Sequence, residues 1–146
     1  MASPHTQAYE KAFLLLSQCH TLCKKFAEKE LSTVGVTIAE YSLLRSIESH
    51  PNTTAGEAAK RVFSSPPSIA QLVKRLKGKR LIESTLDVAD IRRQPLMLTA
   101  KGKNDVILGR QAIQIALQKL NIGHTALKFL EDSLSSLFSS LSSYGN

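Results

Sequence analysis

Residues 54–79 read TAGEAAKRVFSSPPSIAQLVKRLKGK, and this stretch decides the fold. Thr54 and Glu57 have the spacing of a capping box, which predicts the start of a short helix, and Thr37 and Glu40 predict the start of the preceding helix in the same way. Ser65 then precedes Pro66, and proline at the first helical position loses no hydrogen bond, so a second helix begins there. Two helices joined by a tight break are the parts of a helix-turn-helix.

The second of these helices, predicted over residues 66–79, is amphipathic. Its apolar residues recur at helical spacing on one side, and the other side is polar and basic. We predict DNA contacts from residues at its start and on its polar side: Ser65, Pro67, Ser68, Gln71, Lys74 and Arg75. Gln71 can bridge adenine, and Lys74 or Arg75 can contact guanine or phosphate alone. For Lys77 and Lys79 we expect contact with phosphate or solvent only.

The distribution of charge also favours a polyanionic partner. The net charge of the 146-residue chain is +7. Eleven Lys and Arg residues stand against three acids between positions 60 and 103, so the whole positive surplus lies in that block. A basic block within an otherwise balanced chain is typical of proteins that bind nucleic acid, although a solvated basic face is the alternative.

Two short strand-like segments follow the helix-turn-helix. Residues 81–84 begin with two apolar residues, residues 95–99 are strand-like, and the two segments flank a charged loop. This pattern predicts a β-hairpin, the wing of a winged helix. Arg92 and Arg93 lie in the loop, and arginine is attracted to the narrow minor groove of A·T-rich DNA. Thr99 can cap a further helix over about residues 101–120.

Residues 90–102 read DIRRQPLMLTAKG. This segment resembles the D-x-R-x-x-x-L-x-L-T-x-x-G signature of the MarR family of bacterial transcription regulators, and all six fixed positions match. The order of six helices and one hairpin resembles that family over nearly the whole chain. The fold class expected is mostly α with a small β-hairpin: a winged helix-turn-helix with N- and C-terminal dimerisation helices.

The resemblance implies a homodimer that represses transcription from a pseudo-palindromic operator in double-stranded DNA. The helix of residues 66–79 would enter the major groove, Arg92 would reach the minor groove, and Asp90 would hold the wing in shape. Relatives often respond to a small aromatic or phenolic effector bound between the dimerisation helices and the DNA-binding lobe. Arg45 and His20 are candidates for lining such a pocket, although a solvated Arg45 and an interface His20 are the favoured interpretations.

Two positions depart from the family pattern. The recognition helix of relatives usually ends in glycine, but Arg80 stands there and the glycine is displaced to Gly78. Lys74 replaces an acidic residue that is common in relatives. Both changes add positive charge beside the DNA.

The terminal helices have the pattern of dimerisation elements. The first, over about residues 5–31, carries a long apolar stripe, and the last carries leucines spaced alternately by three and four residues. The residues predicted to form the dimer interface are Leu15, Leu22, Leu127, Leu130, Leu134, Leu137 and Leu141. We expect a single domain over 1–146, with a winged-helix lobe over 37–100 between helical regions over about 5–31 and 101–144.

Catalytic chemistry is not indicated. The sequence contains no zinc-protease motif, phosphate-binding loop or nucleophile elbow, so neither an enzyme, a cofactor nor a metal is expected. Cys19 and Cys23 share a helix face and are interpreted as small core residues, with a metal or oxidant site as the alternative. Low cysteine use and the absence of a leader or membrane span predict a cytoplasmic protein with no membrane partner. A winged-helix module that binds another protein is the competing function.

Overall fold

The computed structural model describes residues 4–62, 64–85, 89–90 and 93–144. Within these ranges the chain is mostly helical with one small hairpin, as predicted. The elements in order are α1 Pro4–Ser32, α2 Ile38–Ser49, α3 Ala55–Arg61, α4 Pro66–Gly78, β1 Ile82–Ser84, β2 Leu96–Leu98, α5 Ala100–Gln118 and α6 His124–Tyr144.

The chain forms two compact units, Met1–Ile113 and Gln114–Asn146. The first contains α1 to α4, the hairpin and most of α5, and the second contains the end of α5 and all of α6. The core of the first unit lies between α2, α4, the hairpin and the start of α5. Its largest fully buried apolar side chains are Leu31, Leu43, Leu44, Leu76, Leu81 and Val106.

Side-chain caps fix where the helices of the first unit begin. In both predicted capping boxes the threonine hydroxyl accepts from the backbone of the glutamate, and the glutamate carboxylate accepts from the backbone of the threonine. These pairs are Thr37 with Glu40 at α2 and Thr54 with Glu57 at α3. Ser65 caps α4, whose first residue is a proline. The sequence therefore predicted all three starts correctly, because each depends on residues within one turn.

The hairpin is attached to the helical part of the unit by its second strand. β1 and β2 are antiparallel, with Ile82 opposite Leu98. Leu96 and Leu98 are buried, and the Leu96 amide donates to the Thr53 carbonyl at 2.8 Å, just before α3. The base of the wing is therefore bonded to the segment that enters the helix-turn-helix.

The junction between β2 and α5 requires a threonine and a glycine. Thr99 accepts from the Gly102 amide at 3.0 Å, which caps α5, and its hydroxyl also donates to the Arg80 carbonyl at 2.7 Å. A Cβ atom on Gly102 would lie 2.0 Å from the Leu81 carbonyl oxygen. Both residues thus bring the first turn of α5 against the chain that leaves α4.

Arg80 adopts a left-handed backbone conformation, with φ of 59°. This is the position where the family pattern has glycine, and a side chain there costs about 1–2 kcal/mol. We expect Arg80→Gly to raise the free energy of unfolding by about 0.5–1 kcal/mol, because part of this gain is offset by the greater freedom of glycine in the unfolded chain. Urea denaturation measures the change.

Arg80→Ala is the matched control for this substitution. It removes the same side chain but keeps the conformational restriction of a Cβ atom, so its stability is expected to equal that of the parent. Equal denaturation midpoints for the glycine and alanine variants would contradict the strain at this position.

Candidate nucleic-acid interface

One side of α4 is exposed and polar over its whole length. We call Pro67, Ser68, Gln71, Lys74 and Arg75 the outer face of α4, and all five are exposed. The opposite side packs into the core through Ile69, Leu72 and Leu76. The sequence-predicted contact residues of this helix therefore lie together on one surface, with the core behind them.

The start of α4 offers donors for a negatively charged group. Ser65 is exposed, and its hydroxyl lies 2.9 Å from the hydroxyl of Ser68 and accepts weakly from the Ser68 amide at 3.4 Å. The first two residues of α4 are prolines without an amide hydrogen, and the Ser68 amide is used by the cap, so the available donors are the hydroxyls of Ser65 and Ser68, at the positive end of the helix dipole. This end of the outer face is suited to a backbone contact.

The other end of α4 is bound to a buried carboxylate. Glu40 is 1% exposed, and its Oε2 accepts from the Lys79 ammonium at 2.8 Å. Its Oε1 lies 3.9 Å from Nε of Arg75, an ion-pair distance. Burial raises the pKa of Glu40, but the hydrogen bonds from Lys79 and the Thr37 amide and the two positive charges outweigh it, so the pKa lies below its usual 4.5.

Lys77 and Lys79 bond to other parts of the chain, so the expectation that they contact phosphate or solvent only was wrong. The Lys79 ammonium also donates to the Gly35 carbonyl at 3.0 Å, in the turn between α1 and α2. The Lys77 ammonium donates to the Ser84 hydroxyl in β1. Lys77 stands in the last turn of α4 and Lys79 is its C-cap residue, and from there their long side chains reach neighbouring elements that sequence spacing does not reveal.

Arg93 is bonded to α3 and to the turn before it. Its guanidinium donates to the Asn52 carbonyl at 3.3 Å and lies 3.6 Å from a carboxylate oxygen of Glu57. Its own amide donates to the Asp90 carbonyl at 2.9 Å, which shapes the loop. Arg92, the predicted minor-groove residue, lies outside the described residues. Arg93 thus holds the base of the wing against α3, a role that the sequence did not reveal.

The predicted dimerisation residues are all exposed in the single chain. In α1, Leu15 and Leu22 are exposed, and the leucines of α6 are exposed as well: Leu127, Leu130, Leu134, Leu137 and Leu141. Cys19 and Cys23 are also exposed. The interpretation of these cysteines as core residues was therefore wrong for the chain by itself, since most of α1 extends beyond the core.

A cleft lies between α1, α2 and the segment from α3 to α4. Its volume is about 490 Å³, and its walls are mainly apolar with a few polar groups. His20 lines this cleft, although an interface position was the favoured interpretation for it, whereas Arg45 does not line the cleft and pairs with Glu48. The lining residues are His20, Cys23, Lys24, Ala27, Ile38, Ala39, Ser42, Val62, Ser64 and Leu72.

The described part of the chain contains neither a metal site nor a membrane-spanning helix. No group of three or more His, Cys, Asp or Glu residues is placed to hold a metal ion there. None of the described helices is long and apolar enough to cross a membrane.

Comparison with known proteins agrees with this geometry. A family model described as MarR family matches residues 34–93, which contain the helix-turn-helix and the start of the wing. This central part of the chain is therefore similar to the MarR family. The chain is 34% identical over 82 residues to the HTH-type transcriptional repressor MdtR of Bacillus subtilis, a match that covers 54% of this chain and 53% of that protein. The chain thus spans about half the length of this relative.

Solved structures extend the likeness to the whole MarR fold. The Staphylococcus aureus MepR–DNA complex has a TM-score of 0.73 at 22% identity, covering 87% of this chain and 94% of that one. Staphylococcus aureus MarR in complex with salicylate and kanamycin has a TM-score of 0.76 at 21% identity, covering 93% and 91%. The winged-helix fold predicted from the sequence is confirmed.

Proposed function

We propose that this chain is a sequence-specific, DNA-binding transcription regulator of the cytosol and not an enzyme. The observation that carries the proposal is the outer face of α4, which is exposed, polar and basic while the opposite side of the helix is buried. A rigid helix of this kind fits the major groove, where side chains can read base edges. The region around it also carries the positive surplus of the chain, which supplies affinity for phosphate.

Repression is the mode of regulation we propose. The Bacillus subtilis relative is named a transcriptional repressor, and a solved MarR-fold structure, that of MepR, contains DNA. A protein that occupies an operator blocks transcription without any catalytic step. The expected operator is a pseudo-palindrome, because a two-fold symmetric dimer presents two recognition helices about one helical turn of DNA apart.

A homodimer formed through α1 and α6 is part of the proposal. The leucine seam of α6 leaves Leu127 to Leu141 exposed in the single chain, at spacings of three and four residues. An exposed apolar stripe of this length is typical of a helix that packs against a partner. We propose that residues 1–146 form a single domain, with the winged-helix lobe over residues 37–100.

We also propose that a small aromatic or phenolic effector binds in the cleft between α1 and α4. A largely apolar cleft of about 490 Å³ with few polar groups has the size and lining of a small-molecule site. His20 and Lys24 can pair with a phenolate or carboxylate. A Staphylococcus aureus MarR structure contains salicylate, a compound of this class.

Gln71 and Arg92 are expected to make different contributions to DNA binding. Gln71 can form paired hydrogen bonds with a base edge, so Gln71→Ala should relax the preference at one position of each half-site by about 1–3 kcal/mol, with little change in salt dependence. Arg92→Ala should weaken binding to all duplexes, lower the salt slope by about one unit for each lost phosphate-like contact and reduce the preference for A·T-rich flanks.

Titration of labelled duplexes by fluorescence anisotropy at several salt concentrations measures both effects. The duplexes are an operator selected from a random pool and a scrambled version of it. Identical profiles for the two variants would refute the assignment of recognition helix and wing. If no selected duplex binds, the chain is instead the protein-interaction module considered above.

A further inference from the structure

The side chain of Glu40 is buried more deeply than its capping role requires. Glu57 occupies the same place in the second capping box and accepts the same kind of backbone bond, at 2.8 Å against 2.9 Å for Glu40. The side chain of Glu57 is nevertheless 46% exposed, whereas that of Glu40 is 1% exposed. A capping box therefore functions in this fold without burying its carboxylate.

The buried carboxylate is also costly for a DNA-binding surface. Removing a charge from water is unfavourable unless it is paired, and a negative charge behind a recognition helix repels phosphate. Glu40 is paired by two cations: Lys79, the C-cap residue of α4, at 2.8 Å and Arg75 of α4 at 3.9 Å. Lys79 is only 39% exposed, but Arg75 is 57% exposed and belongs to the outer face. The carboxylate thus reaches the DNA-facing surface through one residue, Arg75.

The contact with Arg75 is made from the inner end of its guanidinium. Nε faces Glu40, so the terminal nitrogens are left for a second acceptor. An arginine held this way keeps its planar group in one orientation and loses less side-chain freedom when it binds. At 3.9 Å the interaction is electrostatic and directs the group without occupying its outer hydrogen bonds.

We propose that Glu40 is a positioning residue that orients Arg75 for contact with DNA. This inference rests on the proposed function of the outer face of α4. Lys79 completes the arrangement by joining the same carboxylate to the Gly35 carbonyl, which fixes the carboxylate between α2 and α4. From its spacing in the sequence, Glu40 would be assigned only the capping of α2.

A double-mutant cycle separates positioning from simple charge. Glu40→Gln keeps an oxygen that accepts from the Thr37 amide but removes the charge, and it is made in the parent and in Arg75→Ala. If Glu40 positions Arg75, Glu40→Gln lowers operator affinity about tenfold in the parent and does not lower it in Arg75→Ala. Charge removal alone would tighten binding in both backgrounds, because it removes a repulsion.

Glu48→Gln is the matched control for the lost charge. Glu48 pairs with Arg45 and Arg110, so its replacement also removes a paired carboxylate without touching α4. This variant is expected to bind the operator as tightly as the parent or slightly more tightly. Thermal unfolding of each variant and active-fraction titration restrict the comparison to folded protein. If Glu40→Gln behaves like Glu48→Gln, or has the same effect in both Arg75 backgrounds, the inference is wrong.

A measurement on the free protein distinguishes failure of this inference from failure of the proposed function. The NMR order parameter of the Arg75 Nε–H bond is expected to fall in Glu40→Gln and to be unchanged in Glu48→Gln. If the parent binds no selected duplex, the proposed function is wrong, and this order parameter still decides whether Glu40 orients Arg75. Equal order parameters in the parent and Glu40→Gln would refute the positioning.

Discussion

Replacing Gly102 with alanine is expected to destabilise the winged-helix lobe by at least about 3 kcal/mol, at the upper end of the cost of overpacking a core. The added Cβ atom would lie 2.0 Å from the Leu81 carbonyl oxygen and 2.9 Å from its carbon. These are backbone atoms, and Leu81 is buried, so no flexible side chain can move aside. Either α5 or the chain after α4 must shift. Chemical denaturation followed by far-ultraviolet circular dichroism measures the loss.

Gly56→Ala is the control for the general effect of replacing a helical glycine. A Cβ atom at Gly56 meets nothing within 4 Å, and the residue lies in α3. Its stability is expected to be unchanged or raised by up to about 1 kcal/mol, because alanine favours helix over glycine. A Gly102→Ala variant as stable as Gly56→Ala would mean that α5 does not approach Leu81 as closely as described.

Replacing Leu134 with aspartate is expected to dissociate the proposed homodimer. Leu134 lies at the centre of the α6 seam and is 42% exposed in the single chain. A carboxylate in a packed interface loses its hydration without gaining a partner, which costs about 3–5 kcal/mol for each charge. Sedimentation velocity at micromolar concentration should show a dimer for the parent and a monomer for the variant. Operator affinity should fall as well, because each monomer contacts one half-site.

Ser136→Asp adds the same charge two residues away, on the opposite side of α6, where the seam leucines do not lie. It should leave the dimer intact. A parent that sediments as a monomer would overturn the dimer and, with it, the palindromic operator. Dissociation by both aspartate variants would place the interface around the whole helix instead of along the seam.

Local chemistry explains what the sequence predicted well. The caps at Thr37, Thr54 and Ser65 are formed by residues within one helical turn, so their spacing in the sequence is their spacing in the fold. The hairpin was predicted for a similar reason, since Leu96 and Leu98 alternate with exposed Met97. The dimer seam has an equally clear period, and it stays a prediction.

Contacts between distant residues explain what the sequence did not reveal. Lys79 reaches Glu40 across 39 positions and Gly35 across 44, and nothing in a lysine near a helix end indicates such partners. Arg93 similarly contacts Asn52, 41 positions away. The left-handed conformation of Arg80 was visible only as a departure from the glycine of relatives, because arginine itself gives no sign of it.

The polar side-chain bonds of α4 to other elements are concentrated at its C-terminal end, so the helix can tilt about that end. At its C-terminal end Lys77 and Lys79 bond to β1, α2 and the turn after α1, and Lys101 donates to the Lys79 carbonyl. At its start, the side-chain bonds of Ser65 stay within the helix. Over a helix about 20 Å long, a tilt of about 5° about the anchored end moves the other end by about 1.7 Å. A ligand wedged beside Leu72 would therefore displace the start of the helix, and a phosphate contact there, far more than it displaces Arg75.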